Sequence, residues 1–69
     1  MKLTPIKLRR LERGVLQVEV ARRAGITRSR LSEIENGHVE PQEEELRRIA
    51  TALALPFAAL AWGEWQRAR

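Results

Sequence analysis

The sequence has no cysteine and a single histidine, His38. The first absence excludes a disulfide framework, and the two together exclude a metal site of the usual Cys/His kind. Lack of cysteine also fits a reducing compartment. Aromatic residues are few: Phe57, Trp62 and Trp65 are all of them. Four glycines and three prolines punctuate the chain without forming a linker or low-complexity tract, and no internal repeat is present. No apolar run approaches the ~20 residues of a membrane span. The opening MKLTPIKLRRLERG carries a charge every few residues and lacks the apolar core of a signal peptide. A soluble, cytoplasmic protein that does not engage a membrane is expected. Catalytic machinery is missing as well, with no nucleophile–base pair, carboxylate dyad or phosphate loop. Neither an enzyme, a cofactor nor a small-molecule effector is therefore expected.

What is present amounts to one small domain, residues 1–69, with net charge +4. A chain of this size buries only about 60% of its unfolded surface, so its core has little to spare. The charge is unevenly spread. Residues 1–30 hold nine Lys/Arg against Glu12 and Glu19, a balance of +7, and residues 31–69 hold four Arg against seven Glu, a balance of −3. A basic first half is the electrostatic footprint of a polyanion binder. Eleven Arg against two Lys also fits a compositional bias or thermal adaptation.

The apolar periodicity is helical throughout, and no stretch alternates as a strand would. Thr4-Pro5 starts a first helix, with Leu3 and Leu8 at the staple positions, Ile6, Leu8 and Leu11 as its apolar members, and Gly14 as its stop. A second helix is predicted from Gln17 to Ala24, with Val18, Val20 and Ala21 apolar and Gly25 beyond its end. Thr27 caps a third, whose inward face is Leu31 and Ile34 and which stops at Asn36-Gly37. Pro41 marks a short loop. A fourth helix, from Gln42 to Ala54, opens on Glu43-Glu44-Glu45 against the positive end of the helix dipole and carries Leu46, Ile49, Ala50 and Leu53. Pro56 begins a fifth segment, Phe57 to Trp62, continuing toward Trp65. The fold class expected is all-α, one compact five-helix domain.

Helices two and three, joined by a glycine turn over residues 17–36, carry the functional suggestion. The third opens with Thr27-Arg28-Ser29-Arg30, a first turn suited to the major groove of DNA, where an arginine fork takes guanine and a hydroxyl takes a phosphate or base edge. At ~100° per residue, Arg28, Ser29, Ser32 and Glu33 share one face and Arg30 turns to its flank. Arg28 and Ser29 are expected at bases, Arg30 at phosphate, and Glu33 at a cytosine amino group or orienting Arg28.

In order along the chain stand Arg10; Gln17, Ala21 and Gly25; Thr27 to Ile34; Glu35-Asn36-Gly37; Pro41; and the helical residues Leu46, Ile49, Leu53 and Leu60. This series resembles the Cro and phage-repressor type of helix-turn-helix, also called the xenobiotic-response-element family, over roughly residues 4–62. The resemblance implies a repressor-like DNA-binding domain with its helix-turn-helix at helices two and three. It implies an ion pair between Arg10 and Glu35, and phosphate contacts from Gln17 and from Asn36 with the neighbouring backbone. Two positions depart from the pattern: Leu16 and Gln42 stand where a capping Ser or Thr is usual. Losing such a cap costs ~1 kcal/mol, which Leu16 is expected to regain by packing and Gln42 through the three glutamates.

The function expected is sequence-specific binding of double-stranded DNA by a transcriptional regulator, a repressor on a palindromic operator. A homodimer is expected through the C-terminal segment, with Trp62 and Trp65 as contacts, while Phe57 and Leu60 close the core. The alternative is an antitoxin that also binds its own promoter, disfavoured by the seven residues after Trp62; a restriction–modification controller is a close variant of the regulator.

Overall fold

Thr4 has an extended backbone (φ −69°, ψ 158°), and its hydroxyl accepts the Lys7 N–H at 3.2 Å. Pro5 follows at the first helical position, where no donor is needed, and α1 runs Pro5–Arg13. The computed structural model describes residues 4–60. α2 is Gln17–Ala24, α3 is Arg28–Glu35 and α4 is Glu43–Ala52. Gly14 (φ 67°) and Gly25 (φ 72°) end α1 and α2 in the left-handed region, where a Cβ is unfavourable. In each case the next residue's N–H closes the cap, Val15 onto Arg10 and Ile26 onto Ala21.

Of the expected fifth segment, the described part is one 3₁₀ turn, Phe57–Leu60, closed by the Ala59 N–H on the Pro56 carbonyl at 3.0 Å; its continuation past Leu60 lies outside the described residues. Among the described residues there are thus four α-helices, this turn and no strand. The core is built from Ile6, Val20, Ala21, Ala24, Leu31, Ile34, Leu46, Ile49, Ala50, Ala52, Leu53 and Leu60. The loop residues Val15, Ile26, Val39 and Leu55 pack onto it. Leu8, Leu11 and Val18, which the periodicity assigns to apolar faces, are exposed instead, as α1 buries only Ile6 and α2 only Val20, Ala21 and Ala24.

Leu16 caps α2 without a side-chain hydrogen bond and is 71% exposed, so packing does not replace the missing cap. Gln42 is helped differently: the Glu45 carboxylate reaches back to accept the Gln42 N–H at 2.8 Å, half of a capping box. Phe57 does not close the core. It lies at the surface, with the Arg47 guanidinium 4.5 Å from its ring centroid. Leu60, fully buried, does join the core. Trp62 and Trp65 fall outside the described residues.

α4 ends in a left-handed residue that is not glycine. Ala54 has φ 57°, and the following Leu55 N–H closes on the Ala50 carbonyl at 2.9 Å. This conformation costs an L-residue roughly 1–2 kcal/mol, part of which glycine loses again through unfolded-state entropy. Ala54→Gly is therefore expected to stabilise the protein by about 0.5–1 kcal/mol, read as a rise of a few degrees in thermal midpoint. A fall in midpoint would show the left-handed cap to be absent in solution.

Candidate nucleic-acid interface

α3 is anchored from beneath by Leu31 and Ile34, both fully buried, which leaves its opposite face in solvent. Its start is fixed by Thr27, whose hydroxyl accepts the Arg30 N–H at 3.0 Å. Its end is fixed by Gly37 (φ 76°), with the His38 N–H on the Glu33 carbonyl at 3.0 Å. α2 packs against it, with Ala21 and Ala24 small and buried on the inward side of α2. The packing brings Gln17, at the N-terminus of α2, against the first turn of α3. Gln17, Arg28, Ser29 and Ser32 line one shallow notch. Such a notch beside a helix N-terminus attracts anions through its free N–H groups.

A chain of hydrogen bonds leads from the core to this notch. Glu35 is 2% exposed, and its carboxylate accepts Arg10 Nε at 2.7 Å and a terminal Arg10 nitrogen at 3.1 Å. Arg10 is oriented by a third bond, to the Val15 carbonyl at 2.9 Å. The Gln17 amide donates to Glu35 at 3.1 Å, and its carbonyl faces Arg28 Nε at 3.5 Å. Thr4 completes the hub, its hydroxyl donating to the Glu35 backbone carbonyl at 2.9 Å. A buried carboxylate thus holds the Gln17 amide, whose carbonyl lies at the outer edge of hydrogen-bond distance from the exposed Arg28. Sequence reading missed the Gln17–Glu35 link, which joins residues on different helices.

Other candidate residues fall differently. Ser32 and Asn36 are neighbours, the Asn36 amide 3.4 Å from the Ser32 hydroxyl. Glu33 is exposed and forms no side-chain hydrogen bond among the described residues; Arg28 takes its orienting contact from Gln17, not from Glu33. Arg30, expected at phosphate, has its fork on Glu45: Nε at 2.9 Å and a terminal nitrogen at 2.8 Å. Bonding to Arg30 holds the Glu45 carboxyl below the usual carboxylate range, against the opposing effect of burial. Arg22 and Arg23, on the outer face of α2, both pair with Glu19.

Among the described residues no His, Cys, Asp or Glu cluster is placed to hold a metal ion, and no helix is long and apolar enough to cross a membrane. Comparison with known proteins agrees with the geometry. A helix-turn-helix family model matches residues 6–60. The chain belongs to the Cro/C1-type helix-turn-helix family. A curated relative is the ImmF control region 10 kDa protein of Bacillus phage phi105, 39% identical over 61 residues that cover 88% of this chain and 68% of that protein. No solved structure matches the chain significantly. As a helix-turn-helix protein, the chain is a DNA-binding transcriptional regulator.

Proposed function

We propose that this regulator is a repressor that binds a palindromic operator as a dimer, each copy placing α3 in the major groove. The observation that carries this reading is the relay from Arg10 through Glu35 and Gln17 to Arg28. It leads from the core to a guanidinium at the first turn of an exposed helix, and a fork steered there before binding would lose less ordering entropy on a base. In this assignment Arg28 takes guanine O6 and N7, Ser29 and Ser32 take base edges or phosphate oxygens, and Glu33 takes a cytosine amino group. Gln17, Thr27 and Asn36 hold phosphates on either side of the groove. The basic balance of residues 1–30 supports the same polarity of partner. The name of the phage relative, a control region protein, supports a regulatory switch. Two copies would read half-sites about one DNA turn, ~34 Å, apart, joined through the C-terminal segment that carries Trp62 and Trp65.

Titration of a DNA duplex by fluorescence anisotropy at several salt concentrations tests the DNA reading. Each phosphate neutralised adds about 0.9 to the slope of log affinity against log salt, so ~5–8 contacts per dimer give a steep loss with salt. A slope near zero would point to a partner other than DNA. Sedimentation tests the dimer: a monomer at tens of micromolar, with Trp65→Ala leaving operator affinity unchanged, would exclude the C-terminal interface.

A further inference from the structure

Seven arginine–glutamate pairs form among the described residues. Five join residues three or four apart on one helix, the ordinary decoration of an exposed face. The remaining two join different elements, both with two parallel N–H···O bonds, and both involve α3. Arg10–Glu35 ties its last residue to α1, and Arg30–Glu45 ties its first turn to the first turn of α4. With only Leu31 and Ile34 as apolar anchors, the roll of α3 depends on these two ends.

We infer that Glu45 is a positioning residue for DNA recognition, which keeps the Arg30 fork off the DNA backbone and leaves sequence reading to Arg28. The inference rests on the DNA-binding reading above. Arg30 stands two residues from Arg28 at the edge of the same helical turn, within reach of a backbone that this turn would approach. Unpaired, it would add a phosphate contact available on every sequence, raising affinity for all DNA and lowering discrimination. The pair is built to resist that exchange. Glu45 is pinned by three donors: Arg30 Nε at 2.9 Å, its terminal nitrogen at 2.8 Å and the Gln42 N–H at 2.8 Å. Its side chain is 17% exposed, against 66% and 72% for Glu44 and Glu43, whose arginines are held by a single oxygen each. Glu45 also caps α4, so releasing Arg30 does not free the carboxylate to move away. Bidentate pairing at a partly buried site is far more persistent than a surface pair.

The test uses the full chain and two duplexes, one enriched by selection and one of random sequence, in anisotropy titrations over a salt series. Glu45→Gln is expected to bind the random duplex about fivefold more tightly near 0.15 M salt, with a slope steeper by about 0.9 per copy. Its ratio of specific to random affinity falls accordingly. Arg30→Gln changes affinity for both duplexes by less than twofold, as a one-charge change at a distance does, and leaves the slope unchanged, and Arg30→Gln/Glu45→Gln loses the gain. Glu44→Gln, with the same charge change, gains less than twofold. The inference is overturned if Glu45→Gln matches wild type, if the gain persists in the double variant, or if Arg30→Gln alone flattens the slope. That last comparison stands even if Glu45→Gln does not fold. Wild-type protein that binds neither duplex would instead defeat the DNA reading itself.

Discussion

Arg10→Met is expected to unfold the protein at or only slightly above room temperature, whereas Glu35→Met is expected to be much milder. The asymmetry follows from burial. The Glu35 side chain is 1% exposed and that of Arg10 13%. Removing Arg10 leaves a buried carboxylate with one neutral donor, the Gln17 amide at 3.1 Å. Breaking a buried pair in this way costs about 3–5 kcal/mol. A chain of 69 residues has a total stability of roughly 3–10 kcal/mol, so this loss takes most of it. Removing Glu35 instead leaves an arginine at the edge of the core, still bonded to the Val15 carbonyl and able to reach water. Arg10→Met/Glu35→Met should recover most of the stability lost by Arg10→Met, because apolar residues can replace a buried pair at little net cost. Urea unfolding followed by circular dichroism measures all three. A loss under about 1 kcal/mol for Arg10→Met would place the pair with ordinary surface pairs and remove the hub from the account.

Arg28→Ala is expected to leave stability within about 0.5 kcal/mol of wild type, as an exposed surface change does, and to weaken operator binding by about 5- to 150-fold. That range is the value of a bidentate arginine–guanine contact, ~1–3 kcal/mol. The loss has a second signature, relaxed preference at one base position in each half-site. Arg22→Ala removes a guanidinium from α2 that is 69% exposed and already paired with Glu19, so its effect on base preference should be nil. A uniform loss across all sequences for Arg28→Ala would reassign that residue to the phosphate backbone. Its guanidinium would then serve affinity alone.

Helix ends were readable because particular residues mark them. Thr4-Pro5, Gly14, Gly25, Thr27 and Asn36-Gly37 each stand where backbone groups need a cap or a left-handed turn, and those are local requirements. The burial of single side chains was less readable. In helices of eight or nine residues the apolar stripe is too short to tell its centre from its edge, which is why Leu8, Leu11 and Val18 emerge at the surface. Val15, Ile26 and Val39 pack against the core from loops, where no period applies. Ala54 takes a glycine-like conformation that its identity does not announce. At the site, spacing placed Arg28, Ser29 and Ser32 on one face. Spacing says nothing about a partner on another helix, so the bonds from Gln17 to Glu35 and from Arg30 to Glu45 appear only once the helices are packed.

The most direct test is selection of the full chain against a library of random DNA duplexes. The account predicts enrichment of one sequence, made of two inverted half-sites about one helical turn apart, with one position in each half-site losing its preference when Arg28→Ala is selected in parallel. A library that emerges without an enriched sequence, or one whose preferences are unchanged by Arg28→Ala, would contradict it.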